Sequence, residues 1–197
     1  MNIDINPDQY FQHEYNGTFN NERCIEVAFA KRYVEEVGFD NVIEIGAVLP
    51  YYDDTKHLVF DPFDKHPMAK SEFAENIDVK DKNILSISTI EHMGDAQGYG
   101  RYYRCQEPNK SYQFLDKLNS EAKSFFVTLP INQHLDLDKT LKENLYKFKW
   151  FGYTKKAQSP PVWELSLDKD DVFSKSYAYP FECANAAIFL YKGITCS

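Results

Sequence analysis

Four short apolar runs between residues 41 and 94 constrain the fold of this chain more than any other feature. Each run stops at a small or acidic residue, and these stops are Gly46, Asp61, Asp78 and Ser88. A parallel strand that is buried on both faces has a continuous apolar run of this kind. In open α/β sheets, ligands bind outside the carboxyl ends of such strands. The pattern therefore predicts that the four stops, together with Glu44, line one edge of a sheet and form a ligand site of the nucleotide type.

Apolar periodicity and turn residues predict the remaining elements. Three helices are predicted, at 22–37, 112–120 and 138–146. Seven strands are predicted, at 42–45, 57–60, 76–78, 83–88, 124–129, 148–153 and 185–191. A further short helix is expected within 62–75, and a long irregular connection over 159–171. Residues 1–20 are polar and form either a loose arm or a cover over the site. No stretch is long enough to be a linker that splits the chain.

The net charge and the cysteine spacing argue against several classes of function. The chain has 197 residues and a formal net charge of -8, whereas a sequence-independent nucleic-acid binder needs a basic face to displace counterions. Its four cysteines are scattered without a close pair, which argues against a zinc framework. No segment approaches the roughly 18 apolar residues of a membrane span. We therefore expect a soluble cytoplasmic protein with reduced thiols, no metal and no nucleic-acid partner, and the oligomeric state is left open.

Four motifs resemble segments of class I S-adenosylmethionine-dependent methyltransferases. They are Asn21-Glu22-Arg23 with Glu26, VIEIGAVLPYY at 42–52, SISTIEHMG at 86–94, and Ala184-Asn185-Ala186. The resemblance is closest to a group of small bacterial methyltransferase-like proteins that carry an NER..E helix, VLEVGNVLSHY, SISTLEHVG and an ANA strand. SISTIEHMG is the most specific of the four. The resemblance implies an α/β, Rossmann-like three-layer sandwich with a mostly parallel seven-stranded sheet and an antiparallel last strand. It also implies one domain over 1–197, with 1–20 as an N-terminal arm.

The same resemblance implies S-adenosylmethionine as the cofactor and a set of residues that contact it. Residues Glu44, Gly46 and Ala47 of the first motif would approach the methionine part and the ribose. A glycine suits this position because the backbone must come close to the ligand. Further contacts are implied at Asp61 for the ribose hydroxyls, with Asp64 as a competitor, at Asp78 for the adenine amino group, and at Ser88 and Thr89 below the sulfonium.

The motif departs from its usual form, because only one glycine is present and Ala47, Val48 and Leu49 follow it. A pyrophosphate needs a glycine-rich turn at a helix N-terminus, so a nicotinamide oxidoreductase is disfavoured. S-adenosylmethionine carries no phosphate and is affected less. A catalytically inactive methyltransferase-fold protein that acts in binding or as a scaffold is the alternative function. The expected acceptor is a small molecule, such as a sugar, a nucleotide-activated compound or a surface-polysaccharide precursor, methylated on oxygen or nitrogen.

Two residues after the fourth strand are candidates for catalysis. Methyl transfer needs a base only if the acceptor must lose a proton, and His92 can titrate near neutrality at this edge of the sheet. The competing interpretation of His92 is a surface residue with a structural hydrogen bond. Glu91 fits a capping box that begins at Ser88, and this structural role is preferred to catalysis or to metal binding with His92. The tyrosines of the next loop, Tyr99, Tyr102 and Tyr103, either stack on an acceptor or pack the loop.

Overall fold

A mixed sheet forms the centre of the fold in the computed structural model, which describes residues 1–53, 56–94, 107 and 109–195. Within these residues the sheet has eight strands: β1 Val42–Ile45, β2 Leu58–Phe60, β3 Ala69–Lys70, β4 Asn83–Ile87, β5 Ser124–Pro130, β6 Lys149–Gln158, β7 Pro161–Ser166 and β8 Ala186–Lys192. Their order is β3-β2-β1-β4-β5-β8-β6-β7. The first five strands in this order are parallel, whereas β8 runs antiparallel to both β5 and β6.

Helices cover both faces of the sheet, as a three-layer α/β architecture requires. The α-helices are α1 Arg23–Val37, α2 Lys110–Glu121, α3 Leu135–Asn144 and α4 Lys169–Phe173. One apolar core lies between the sheet and α1, and the other joins the opposite face to α2, α3 and α4. Aromatic rings fill much of the first core. Phe29 of α1 contacts Phe151 and Phe189, which stack on each other with ring centroids 4.8 Å apart.

The predicted antiparallel last strand is confirmed, but the sheet has eight strands and not seven. The additional strand, β7, forms a hairpin with β6 inside the stretch that was expected to be an irregular connection. In β7, Pro161 and Trp163 are buried and alternate with the exposed Val162 and Glu164. Such a short alternation in a polar stretch becomes a strand only because β6 is available to pair with it.

The prediction of a third strand at 76–78 is wrong. The observed β3 is only two residues long and pairs through Ala69 and Lys70 with the end of β2. A 3-10 turn at Ala74–Asn76 replaces the expected helix, and the segment 77–79 packs its apolar side chains into the core without strand pairing. Asp78 therefore does not end a strand. Its exposed side chain accepts a hydrogen bond from the amide of Lys80 at 3.0 Å.

The N-terminal segment is a packed cover and not a loose arm. Ile5 and Tyr10 are buried in the core that contains α1. The Tyr10 hydroxyl accepts from the amide of Trp163 at 3.0 Å and donates to its carbonyl at 3.2 Å. Tyr153 of β6 donates to the carbonyl of Ile3. These contacts join the segment to the far end of the sheet and bring residues 15 and 16 over the strand ends described below.

The end of α1 was predicted at residue 37 and is confirmed. Gly38 has a φ of +87° and its amide donates to the carbonyl of Val34 at 2.8 Å, so a left-handed residue closes the helix. In the part of the chain that the structure describes, no helix is both long and apolar enough to cross a bilayer.

Candidate functional site

A cavity of about 390 Å³ lies at the carboxyl ends of β1, β2 and β4. The strand order reverses between β1 and β4, and ligands of open α/β sheets bind at this kind of switch point. Its lining comes from the turns after these strands, at Val48, Asp64 and Thr89, and from the start of α1, at Glu22 and Arg23. The cavity therefore occupies the edge of the sheet where the apolar runs predicted a ligand site.

The carboxylate of Glu44 holds the turn after β1. Its Oε1 accepts from the amides of Val48 at 3.0 Å and Leu49 at 2.9 Å, and its Oε2 lies 2.6 Å from His57 Nε2. Glu44 and His57 are both buried. Both oxygens are engaged within the protein, and Glu44 does not line the cavity. The carboxylate therefore fixes the conformation of this turn through hydrogen bonds to its backbone amides.

Gly46 brings the turns after β1 and β4 into direct contact. Its φ is +86°, and a Cβ at this position would lie 2.0 Å from Thr89 Oγ1. The Thr89 hydroxyl donates to the carbonyl of Ile87 at 3.0 Å, which fixes its position. A glycine is therefore required here by the contact with Thr89 as well as by the backbone conformation.

Asp61 joins the turn after β1 to the turn after β2. Its Oδ2 accepts from the amide of Ala47 at 3.1 Å, and its Oδ1 accepts from the amides of Phe63 and Asp64, each at 2.9 Å. Asp61 is buried and is not part of the cavity lining, whereas its competitor Asp64 is. The Oδ1 atom of Asp64 accepts from the Tyr51 hydroxyl at 2.8 Å and from the amide of His66 at 2.6 Å.

The start of α1 places a buried charged cluster against the end of β4. Ser88 Oγ donates to Glu26 Oε1 at 2.6 Å, and Arg23 Nε lies 3.8 Å from Glu26 Oε2. Arg23 also donates through Nη1 to the carbonyl of Ile87 at 3.0 Å. Burial raises the pKa of Glu26, the charge of Arg23 opposes the rise, and the nearby charge of Glu22 adds to it. The cluster holds Ser88 with a φ of +40° at the strand end.

Glu91 does not form the predicted capping box. The amide of Ser88, which a capping-box glutamate would receive, donates instead to the carbonyl of Thr128 at 3.0 Å. Only 2% of Glu91 is exposed, and no other described residue donates a hydrogen bond to either of its carboxyl oxygens. Buried polar atoms in proteins are nearly always paired, so a carboxyl with two unpaired oxygens is an unusual feature of a cavity wall.

Burial raises the pKa of Glu91 well above its usual value of 4.5. Contact with its own amide lowers the pKa, the charge of Glu26 raises it further, and the charge of Arg23 opposes the rise. The Nε2 atom of His92 lies 3.8 Å from Glu91 Oε1, and both side chains line the cavity. The carboxyl of Glu91 and the ring of His92 therefore lie side by side at the cavity surface.

The cavity gathers some of the predicted site residues and leaves others out. The predicted residues in its lining are Ala47, Ser88, Thr89, Glu91 and His92. Outside the lining lie Glu44 and Asp61, which hold its turns, Gly46, which contacts Thr89, and Asp78. The cofactor contacts and catalytic roles inferred from sequence stay predictions. Tyr99, Tyr102 and Tyr103 lie outside the described residues.

The sequence interpretation gave no role to several residues that line the cavity. These are Asn16, Asn21, Glu22, Arg23, Tyr52, Gln133, Tyr177 and Cys183. A signal for three of them was present in the NER motif, because polar and charged residues beside the apolar face of a helix need partners when they are buried. No such signal marks Gln133 or Tyr177. Among the described residues, no group of three or more His, Cys, Asp or Glu side chains could hold a metal ion.

No protein-family model and no curated protein sequence matches the chain. Two solved structures resemble it at low sequence identity. Magnesium protoporphyrin IX methyltransferase from Synechocystis, crystallised with bound S-adenosylmethionine, is 9% identical with a TM-score of 0.44, over 92% of this chain and 87% of that chain. A Thermoplasma acidophilum protein is 12% identical with a TM-score of 0.42, over 83% of this chain and 85% of that chain. Similarity at this level does not establish a common family.

Proposed function

We propose that residues 1–197 form a class I methyltransferase domain and that the cavity at the strand ends binds S-adenosylmethionine. The observation that carries this proposal is the position of the cavity at the switch point between β1 and β4, beside a turn that contains one glycine. Its volume of about 390 Å³ falls within the range of small-molecule and cofactor sites. The sequence motifs that form its walls, EIGAV and SISTIEH, are those that resemble this family.

The charge of the cavity supports a phosphate-free cofactor. Glu22, Asp64 and Glu91 line it, and the guanidinium of Arg23 is already engaged by Ile87 and Glu26. A pyrophosphate would meet carboxyl groups and would find no glycine-rich turn to cradle it. S-adenosylmethionine carries a positive sulfonium and an ammonium group, which an acidic wall attracts.

The residues of the cavity would hold the cofactor as follows. Ala47 and the turn that Glu44 and Asp61 support would lie along its methionine and ribose parts. Asp64 would accept ribose hydroxyls, because both of its hydrogen bonds within the described residues end on Oδ1 and leave Oδ2 for a ligand. Ser88 and Thr89 would lie below the sulfonium. The predicted adenine contact of Asp78 has only the sequence resemblance in its support.

The bound cofactor supplies an activated methyl group, and the protein positions it in line with an acceptor and excludes water. His92 would take the proton of an acceptor hydroxyl or amine, since it lines the cavity beyond the end of β4. The acceptor is proposed to be a small molecule of the sugar, nucleotide-activated or surface-polysaccharide type. This choice, like that between oxygen and nitrogen, rests on the sequence resemblance alone.

Thermal unfolding with added ligands tests cofactor binding. S-adenosylmethionine and S-adenosylhomocysteine should each stabilise the protein, by about 2.7 kcal/mol at a hundredfold excess over the Kd, because they bind only the folded state. NAD should leave the melting temperature unchanged. Stabilisation by NAD alone, or by none of the three ligands at millimolar concentration, would contradict the proposal.

Turnover separates an enzyme from a silent binding protein. With an acceptor in hand, His92→Ala should keep its affinity for S-adenosylhomocysteine and lose roughly 10²–10⁴ in rate, the usual contribution of a positioned base. The matched control is His66→Ala, which alters a histidine outside the cavity lining. Cofactor binding without formation of S-adenosylhomocysteine from any sugar or nucleotide-sugar acceptor would favour the silent protein.

A further inference from the structure

The carboxyl of Glu91 is buried without a hydrogen bond from another described residue that would compensate for its loss of hydration. Its two oxygens receive no hydrogen bond from any other described residue, although only 2% of the side chain is exposed. Leaving a buried polar group unpaired costs about 1–3 kcal/mol of folding free energy. A small change such as glutamate to leucine would remove this cost, so the carboxyl indicates a partner that the protein itself does not supply. Glu91 lines the cavity, where a ligand can provide that partner.

The surroundings of Glu91 select the charge of the partner. Three charged groups at the start of α1 act on it, and they are Glu22, Arg23 and Glu26. Two of the three are acidic, and Arg23 is already shared between Glu26 and the carbonyl of Ile87. The anionic end of a ligand would therefore be repelled at this wall, and a cationic end would be attracted.

The hydrogen-bonding capacity of Glu91 favours a partner nitrogen that carries several protons. An ammonium group has three hydrogen-bond donors, and Glu91 offers two acceptor oxygens at one place. Tyr15, Tyr52 and Tyr177 line the same cavity, and aromatic rings attract organic cations through their faces. His92, at 3.8 Å from Glu91, is the remaining titratable neighbour on the same turn.

We propose that Glu91 binds an ammonium nitrogen of a ligand in this cavity. The inference rests on the proposed function, because that function names the two sources of such a group. One source is the α-ammonium of the methionyl part of the cofactor, and the other is the amine of an acceptor that is methylated on nitrogen. Both sources place the same chemistry, a protonated amine, against the same carboxyl, and an acceptor bound in this way would give one proton to His92 before its nitrogen takes the methyl group.

Binding of the ammonium requires Glu91 to lose its proton. In the ligand-free protein the raised pKa keeps the carboxyl protonated above pH 4.5. An ammonium that binds the carboxylate displaces that proton to solvent, so one proton leaves for each ligand bound. Affinity should therefore rise with pH through the pKa of Glu91. The charged and titratable groups that act on this step are Glu22, Arg23 and Glu26 from α1 and His92 from its own turn.

Calorimetry on two matched variants tests the proposal. Glu91→Gln keeps the size of the side chain and removes the charge, and Glu35→Gln makes the same change on the exposed side of α1. Circular dichroism confirms that each variant is folded, and Glu91→Ala, which also removes the carboxyl, replaces Glu91→Gln in every comparison if Glu91→Gln is not folded. The first ligands are S-adenosylhomocysteine and its deaminated analogue. The second are butylammonium and its neutral counterpart butanol, each added to the ligand-free protein and to the protein saturated with S-adenosylhomocysteine.

Two outcomes support the proposal and identify the source of the nitrogen. If the cofactor supplies it, wild type binds S-adenosylhomocysteine roughly ten- to a hundredfold more tightly than the deaminated analogue and releases a proton. Glu91→Gln then abolishes both effects, and Glu35→Gln keeps them. If an acceptor supplies it, S-adenosylhomocysteine and its deaminated analogue each bind wild type and Glu91→Gln with the same affinity. Butylammonium then binds wild type more tightly than Glu91→Gln, whereas butanol does not.

The contrary outcome is equally plain. If neither the amino group of S-adenosylhomocysteine nor butylammonium distinguishes wild type from Glu91→Gln, Glu91 has no role in ammonium binding. Failure of the proposed cofactor is a separate result, because S-adenosylhomocysteine then fails to bind wild type at all. In that case butylammonium with the ligand-free protein still decides whether Glu91 binds an ammonium group.

Discussion

Two pairs of buried carboxyl groups lie at the same edge of the sheet and differ in how far the protein satisfies them. Glu44 and Asp61, at the β1 and β2 ends, accept five hydrogen bonds from backbone amides, and Glu44 also pairs with His57. Glu26 and Glu91, at the start of α1 and after β4, retain three oxygens without a hydrogen-bond partner among the described residues. The first pair builds the turns of the site, whereas Glu91 of the second pair lines the cavity that those turns enclose.

The difference teaches that an acidic residue at a strand end does not by itself indicate contact with a ligand. Asp61 was expected to accept ribose hydroxyls, and its two oxygens receive three backbone amides. Glu91 was expected to cap a helix, and its carboxyl receives no hydrogen bond from another described residue. Hydrogen-bond satisfaction, which separates structural from ligand-facing carboxyls, depends on atoms that only the folded chain brings together.

The largest effect that would test this contrast is on stability. Glu44→Ala should lower the free energy of unfolding by about 3–5 kcal/mol, because it leaves two buried amides and the His57 ring without an acceptor. Glu91→Gln should change it by less than about 1 kcal/mol at pH 5, since it removes no hydrogen bond to another residue. Urea denaturation of both variants measures the two values. Equal losses would erase the distinction between the two regions.

The contact between the turns after β1 and β4 gives the next effect. Gly46→Ala should cost about 2–4 kcal/mol, because it combines left-handed backbone strain with a collision with Thr89. Gly38→Ala is the matched control: its φ is also +87°, but a Cβ would meet only the flexible Asn41 side chain at 3.1 Å. Denaturation should therefore show a smaller loss for Gly38→Ala. Adding Thr89→Ala should recover part of the Gly46→Ala loss, and a purely additive double mutant would contradict the contact.

The titration of Glu91 sharpens the contrast through pH. Its pKa is raised by folding, so the native state holds a proton that the unfolded state releases as the pH rises above 4.5. The stability of wild type should therefore fall relative to Glu91→Gln above that pH, with a slope of at most about 1.4 kcal/mol per pH unit. Glu26 is present in both proteins, so the difference isolates Glu91. Unfolding curves that run parallel from pH 5 to 7, as expected for Glu35→Gln against wild type, would mean that Glu91 is already ionised.

The smallest effect concerns the acid that is proposed to contact the ribose. Asp64→Asn should weaken binding of S-adenosylhomocysteine about three- to tenfold with little loss of stability, because Asp64 lines the cavity. Asp61→Asn should act mainly on stability, since its oxygens receive the amides of Ala47, Phe63 and Asp64. Calorimetry and denaturation on both variants give the comparison. A larger loss of affinity for a folded Asp61→Asn would restore the assignment made from the sequence.

Much of the fold near the site was predictable because its signals are local. The apolar run at 42–45 matches β1, and that at 83–88 exceeds β4 by one residue. The helix α1 begins one residue after its predicted start and ends, as predicted, at Val37. The short β3 and the hairpin strand β7 were missed, because the dipeptide Ala69-Lys70 and a short alternation become strands only beside β2 and β6.

The sequence by itself determined where the strands that carry the site end, because burial on both faces requires uninterrupted apolar runs. It also determined that only one glycine follows β1, which argues against a pyrophosphate ligand. The tertiary structure alone decided which carboxyls serve the protein and which face the cavity. Ser88 donates to Glu26 across 62 positions of sequence, while the carboxyl of Glu91, three residues after Ser88, receives no hydrogen bond from any other residue that the structure describes. Partners so far apart in the chain leave no local pattern, since hydrogen bonds form between whichever groups the packing of α1 against β4 brings within reach.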